Sequence, residues 1–387
     1  MYIFNPENDL ALANFSSNYT PPASIIKLGL DLSMLPFWFA PNNSIIISQS
    51  DIDNKFVEKI GVEFGIKSSV IGINNIPLNI DCDINPWGWS PYLVNKLISL
   101  GFTLNKLPSS EYLEVLRDYS NRKNAVRMLS ELKCEYPQFY GESSFITDLD
   151  ELLVHLLSTE GDKALKMPLS GSGRGLIWIL NGITDKQTDW ARRVIKTQGG
   201  IVAEPKLDKV QDFAMEFSIR NRISKFEGYS LFESAASGAY MGNVLMSDND
   251  IEVELSKYIS LEMLHGLRFT LLEKLPNYFP MYNGFLGVDM MVCNTDDGYK
   301  LQPCIEINMR MNMGLVSHIF YNRYVHSNSK GVFKVEYFKR LGDAFQFHQD
   351  MLTANPPIVE DGRIKSGYMS LTPVNKDTKY VVWVEIA

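Results

Sequence analysis

Lys166-Met167-Pro168-Leu169-Ser170-Gly171-Ser172-Gly173-Arg174-Gly175 runs directly into Leu176-Ile177-Trp178-Ile179-Leu180, and the reading of that junction decides the fold. Closely spaced glycines let backbone N–H groups approach phosphate oxygens, while Ser and Arg side chains add donors. The residues after the glycines select among the known uses of such a loop. A dinucleotide site needs a helix there, but β-branched and aromatic residues after Gly175 favour a strand. A P-loop needs Gly-Lys-Ser/Thr at its end, which is absent. A protein kinase carries its lysine after the glycine hairpin, whereas Lys166 precedes it. A surface hairpin that binds nothing uses the same residues, so the flanking segments decide.

Working outward, the chain of 387 residues exceeds what one hydrophobic core supports, and two or three subdomains are expected. Hydrophobic residues at 45% and charged residues at 21% give ordinary globular composition, which excludes disorder. The net charge of −8 argues against a general nucleic-acid or anionic-membrane binder. Cys82, Cys134, Cys293 and Cys304 show no metal-ligand spacing and read as reduced thiols. Glu7 and Asp9 stand where a secretory signal would carry basic and apolar residues, and the early apolar stretch 24–40 is broken by Lys27, Asp31 and Pro36. A cytoplasmic, membrane-free protein is expected.

Before the loop, short apolar strands at 2–4, 44–48 and 69–73 alternate with helical stretches at 53–64 and 90–100. This predicts an open α/β domain over residues 1–117. A second region, 118–200, opens with a helix at 121–132, continues through a helix at 148–158 and becomes β-rich over 163–180. A third, 201–387, mixes strands at 213–219, 284–292, 299–309 and 380–386 with helices such as 261–275. The fold class is α/β plus α+β. Arg220 and Arg222 read as neighbours at strand spacing on one face, solvated or lining a pocket.

Several charged segments flank the loop in a definite order. Upstream lies Ser120-Asn121-Arg122-Lys123-Asn124-Ala125-Val126-Arg127. Downstream lie Ile201-Val202-Ala203-Glu204-Pro205-Lys206-Leu207, then Gln211-Asp212-Phe213-Ala214-Met215-Glu216. Last come Gly287-Val288-Asp289-Met290 and Ile305-Glu306-Ile307-Asn308-Met309-Arg310.

A lysine before a glycine hairpin, with these segments in this order, resembles the ATP-grasp superfamily over about residues 120–314. The resemblance implies an N-terminal α/β domain followed by a two-lobed ATP-grasp fold, with 118–200 as the small lobe and 201–387 as the large one. It implies ATP and Mg²⁺ as cofactors. Lys123 and Lys166 would contact the nucleotide phosphates, and Ser170, Gly171, Ser172, Gly173, Arg174 and Gly175 would cover them. Glu204 and the backbone of Lys206 and Leu207 would meet the adenine, and Asp212 stands at the ribose-binding acid. Asp289, Glu306 and Asn308 match the metal ligands. Arg310 matches the arginine that steadies the transferring phosphate or the acyl intermediate in the biotin-carboxylase-like subset, and with Lys166, which matches the strand lysine at the phosphates near the adenine side, it makes up the implied catalytic residues.

Phosphoryl transfer asks a protein mainly for positioning and charge neutralisation. A carboxylate acceptor is already ionised at neutral pH, which suits a chain with five histidines and no recognisable catalytic pair. The expected activity is a ligase that phosphorylates a small-molecule or peptide carboxylate for attack by an amine or another nucleophile. A nucleotide-binding regulator without turnover and a small-molecule kinase are the alternatives. Asp297-Gly298 supplies the geometric expectation: as a two-residue hairpin turn it sets Asp289 opposite Glu306, with Asn308 on the same side. Against this register stands Pro303 on the second strand, which cannot donate to the ladder; a bulge there would shift the pairing by one.

Overall fold

A computed structural model of the chain describes residues 1–77, 82–171, 175–235, 238 and 240–387. Two compact units divide it. One comprises Met1–Glu114, Met241–Asp250 and Met311–Ala387; the other comprises Val115–Tyr240 and Ile251–Arg310.

In the first unit, the apolar segments Tyr2–Ile3, Ile45–Ser48 and Ser69–Gly72 form parallel strands, joined by Asn85–Pro86 on the other side of Tyr2–Ile3. The intervening helices Asn54–Phe64 and Pro91–Ser99 start where the sequence places good caps. Asp53 accepts from the amides of Lys55 and Phe56, and Ser90 accepts from that of Leu93. Leu93 and Leu97 project from the second helix onto Ile3 and Ile47 and close a small core. The same unit holds the antiparallel strands Gly331–Tyr337, Tyr380–Ile386, Arg363–Ser370 and Ile358–Glu360.

This grouping differs from the expected lobe over 201–387, because residues 311–387 pack with the N-terminal segment. Trp38 is fully buried, its ring edge-on to those of Phe320 and Tyr324, and its Nε1 donates to the Leu371 carbonyl at 2.6 Å. Asp31 accepts from the amides of Lys379 and Tyr380 at 2.9 and 3.0 Å. Neither link has a local sequence signal.

The second unit contains two antiparallel sheets. The first runs Ser144–Ile146, Ile201–Pro205, Lys163–Lys166, Leu176–Ile179, with the segment after Gly175 forming the strand its composition favours. Helices Leu149–Ser158 and Asp185–Gln198 cover it, burying Leu152, Ala191 and Val194 against Leu165 and Ala203. The second sheet includes Gly298–Asn308, Gly284–Thr295, Lys209–Arg220 and Ile223–Ser234, each antiparallel to the next. Arg220 and Arg222 do not share a strand face. Ile223 pairs with Arg220, leaving Asn221 and Arg222 as a two-residue turn with φ of 50° and 63°.

The last hairpin reaches the expected pairing by an unexpected route. Its turn is Asp296-Asp297, one residue earlier than read from the sequence, with Gly298 at φ 98° opposite Thr295. That register alone would place Asp289 opposite Cys304. Between the pairs Met291–Gln302 and Asp289–Glu306, however, the single residue Met290 spans Pro303, Cys304 and Ile305. This bulge of two extra residues, at the proline that cannot donate, restores Asp289 opposite Glu306.

Candidate functional site

The alternation of side chains along strands assembles the site within the second unit. Asp289 lies opposite Ala214 on one neighbouring strand and Glu306 on the other; two residues along, Gly287 lies between Glu216 and Asn308. Asp212, two residues from Ala214 in the opposite sense, shares that face. Asp212, Glu216, Asp289, Glu306 and Asn308 therefore project from one side of the sheet. Asn308 Nδ2 donates to Asp289 Oδ2 at 3.0 Å, and an Arg310 Nη donates to Asn308 Oδ1 at 3.4 Å. Burial raises the Asp289 carboxyl well above the ordinary carboxylate range. The charges of Glu306, Glu216 and Asp212 push it the same way, against the Asn308 hydrogen bond.

The two lysines expected at the phosphates behave differently. Lys166, at the end of its strand, sits diagonally across the ladder from Glu204 and its Nζ bonds the carboxylate at 2.5 Å, both side chains mostly buried. Ser143 Oγ donates to the other Glu204 oxygen at 3.0 Å. Lys123 instead pairs with Asp118 at the surface, its side chain 41% exposed, so it does not join the converging groups. The neighbouring Arg122 does. Its side chain is 10% exposed and Nη2 donates to Glu306 Oε1 at 2.6 Å, while Nη1 donates to the Met167 carbonyl at 2.6 Å and to Ser170 Oγ at 2.7 Å. Adjacent positions at a helix start face different directions, and here it is Arg122, not assigned from the sequence, whose side chain meets Glu306.

The described part of the glycine loop is anchored. Met167 N donates to the Gly175 carbonyl at 2.7 Å, and Gln198 bonds both the amide and the carbonyl of Leu169. A Cβ on Gly175 would collide with the Ser170 side chain, which explains glycine there. Gly171 is buried. Ser172, Gly173 and Arg174 lie outside the described residues.

Of the hinge segment, Lys206 donates its amide to the Asp162 carbonyl at 2.9 Å and places its ammonium 3.3 Å from the Asp162 carboxylate. Its N–H is thus committed within the protein, which leaves its carbonyl and the backbone of Leu207 as the candidate adenine contacts. Asp212 is held by Lys209 at 2.6 Å and by Ser234 Oγ. Any ribose it met would compete with both.

Cys304 is buried in the bulge. Burial raises its thiol pKa, as do the charges of Asp289, Glu204 and Glu306, with Lys166 opposing. Sequence reasoning did not assign Arg122 and Glu216, which the strand pairing and the Glu306 contact bring to this face. Glu216 had a detectable signal, since it lies four residues from Asp212 on the same strand and hence on the same face.

The donor set suits a hard cation. All three candidate ligands offer oxygen, and Mg²⁺ is commonly held by one or two carboxylates together with substrate phosphates and water. Among the described residues, no group of three or more His, Cys, Asp and Glu is arranged to hold a metal unaided. A cation also relieves the repulsion that raises Asp289, and the Arg122 guanidinium already does so at Glu306. The four cysteines are free, and no helix among the described residues is long and apolar enough to cross a membrane.

No protein-family model matches the chain, and no curated protein matches its sequence. Solved structures do resemble it. Biotin carboxylase from Campylobacter jejuni, in complex with β,γ-ATP, aligns with all of this chain and 87% of its own at 12% identity and a TM-score of 0.52. The biotin carboxylase domain of 2-oxoglutarate carboxylase from Hydrogenobacter thermophilus, complexed with MgADP and bicarbonate, covers 92% of this chain and 84% of its own at 10% identity and 0.49. A carboxyaminoimidazole ribonucleotide synthase from Aspergillus clavatus, complexed with ATP, covers 89% and 94% at 12% identity and 0.48. The first of these carries the conclusion: the chain has the ATP-grasp fold.

Proposed function

We propose that this chain is an ATP- and Mg²⁺-dependent ligase that activates a carboxylate by phosphorylation and passes the acyl group to an amine or another nucleophile. The observation that carries the proposal is the pairing of Asp289 with Glu306 beside Asn308, on a face reached by Arg122, whose guanidinium also holds Met167, the neighbour of Lys166. The ATP-grasp fold supports it, as does the nucleotide named in the Campylobacter jejuni complex.

Each residue has a part. Asp289, Glu306 and Asn308 hold Mg²⁺, which when bound supplies charge neutralisation and orientation for the triphosphate. Lys166 offers an ammonium to the phosphates, with Glu204 fixing its position. Ser170 and the glycine loop supply donors, and Lys206 and Leu207 offer backbone to the adenine. Arg310 presents a planar fork to the oxyanion formed as a carboxylate oxygen attacks phosphorus. The substrates would be a small-molecule or peptide carboxylate and a nucleophilic co-substrate, in a cytoplasmic setting.

The Arg122–Glu306 ion pair favours one second reading, a nucleotide-binding regulator without turnover, because it neutralises a metal ligand. Incubation with ATP, Mg²⁺ and pooled carboxylates and amines separates the two. Carboxylate-dependent ADP release supports a ligase or a kinase, and incorporation of the amine singles out the ligase. Nucleotide binding without ADP release supports the regulator.

A further inference from the structure

The Arg122 guanidinium joins two separate segments of the second unit. Nη2 holds Glu306 of the last strand, Nη1 holds Met167 and Ser170 of the glycine loop, and the Arg122 amide donates to the Pro168 carbonyl at 2.9 Å from the start of its helix. Two features make this arrangement more than a structural tie. A fixed positive charge touches Glu306, so a divalent cation brought to that carboxylate meets like-charge repulsion across a short, partly buried distance. The third donor is idle: Nε is buried and has no hydrogen-bond partner among the described residues. A buried unpaired donor is costly, and the guanidinium edge that carries it matches two oxygens of a phosphate.

We propose that Arg122 is a latch. Without nucleotide it occupies Glu306 and excludes cations; when a nucleotide binds, the guanidinium passes to phosphate oxygens, pairs its idle Nε, and frees Glu306 for Mg²⁺. The inference rests on the proposed nucleotide site and adds a direction to it: the metal ligands become available only as phosphate arrives. Because Met167 and Ser170 share the same guanidinium, they lose that contact in the same event, while Gln198 still holds Leu169.

The test is metal uptake without turnover. Mn²⁺ binding to the full chain is monitored by the spin-resonance signal of the free ion, with and without ADP. Wild-type protein should take up no Mn²⁺ in the absence of nucleotide at concentrations that saturate the ADP-loaded protein. Arg122→Gln should take it up without nucleotide, its affinity raised about ten- to a hundred-fold, the range expected for removing a charged contact. Ser170→Ala, which removes one anchor of the guanidinium and leaves Glu306 intact, should shift the affinity the same way by a smaller factor. An Arg122→Gln protein with lower thermal stability but unchanged nucleotide-free Mn²⁺ affinity would show a purely structural arginine and overturn the latch alone. Wild-type protein that binds Mn²⁺ equally well with and without ADP would overturn it too. Absence of Mn²⁺ binding in every variant, ADP included, would remove the metal site and the latch together.

Discussion

Asp289 stands directly opposite Glu306 because a two-residue bulge at Pro303 corrects a turn that closes one residue early. Burial, and after it the repulsion from Glu306, raises the Asp289 carboxyl. Asp289→Asn should therefore stabilise the metal-free protein, by about 0.2–1 kcal/mol on the scale of cross-strand like-charge pairs, while abolishing Mg²⁺-dependent activity. Thermal unfolding with and without Mg²⁺ and ADP checks this; a loss of stability in the metal-free state would mean that the acids are not in conflict.

Lys166 and Glu204 form a mostly buried pair, so removing either leaves the other uncompensated. Lys166→Met should weaken ATP binding about ten- to a hundred-fold, as expected for one charge-assisted contact, and also lower the unfolding midpoint. Lys166→Met with Glu204→Gln should recover much of the stability and none of the affinity. Calorimetry and thermal melts separate the two effects, and unchanged ATP affinity in the single variant would take Lys166 out of the site.

Arg310→Lys should reduce kcat more than it weakens ATP binding, since a point charge cannot replace a fork at a planar oxyanion. Equal losses in both would mark Arg310 as a ground-state ligand.

The strands, the glycine hairpin and the Asp289–Glu306 pairing were legible because strand period, turn residues and chemistry repeat locally. The bulge was foreseen at Pro303, but its size was not, since a missing donor says where a ladder breaks and not how many residues leave it. Lys123 was assigned by its place in the motif, which gives order along the chain, while rotation about the helix start decides which side chain reaches Glu306, and Arg122 is the one that does. The placement of 311–387 with the N-terminal segment depends on Trp38 meeting Phe320 and Tyr324. No local pattern encodes contacts of that separation.

Glu7 offers a pH test away from the site. It is 6% exposed, and burial raises its carboxyl pKa, with its own amide and the Lys96 charge opposing. A carboxyl raised on folding contributes stability that is complete below its unfolded pKa and lost as pH rises through the folded value. Wild-type stability should thus fall with rising pH above the ordinary Glu range, and Glu7→Gln should flatten that fall. Urea unfolding at about pH 4, below the ordinary Glu value, and at about pH 6 and 8, above it, would show it; an identical pH profile in the variant would contradict the assignment.

The central claim is that Asp289, Glu306 and Asn308 bind Mg²⁺ together with a nucleotide. Calorimetric titration of ADP into wild-type protein and Glu306→Gln, each with Mg²⁺ and with EDTA, tests it most directly. The account predicts that wild-type protein binds ADP more tightly with Mg²⁺, and that Glu306→Gln loses this metal dependence while still binding ADP. ADP affinity indifferent to Mg²⁺ in the wild type, or a metal dependence that survives in Glu306→Gln, would contradict it.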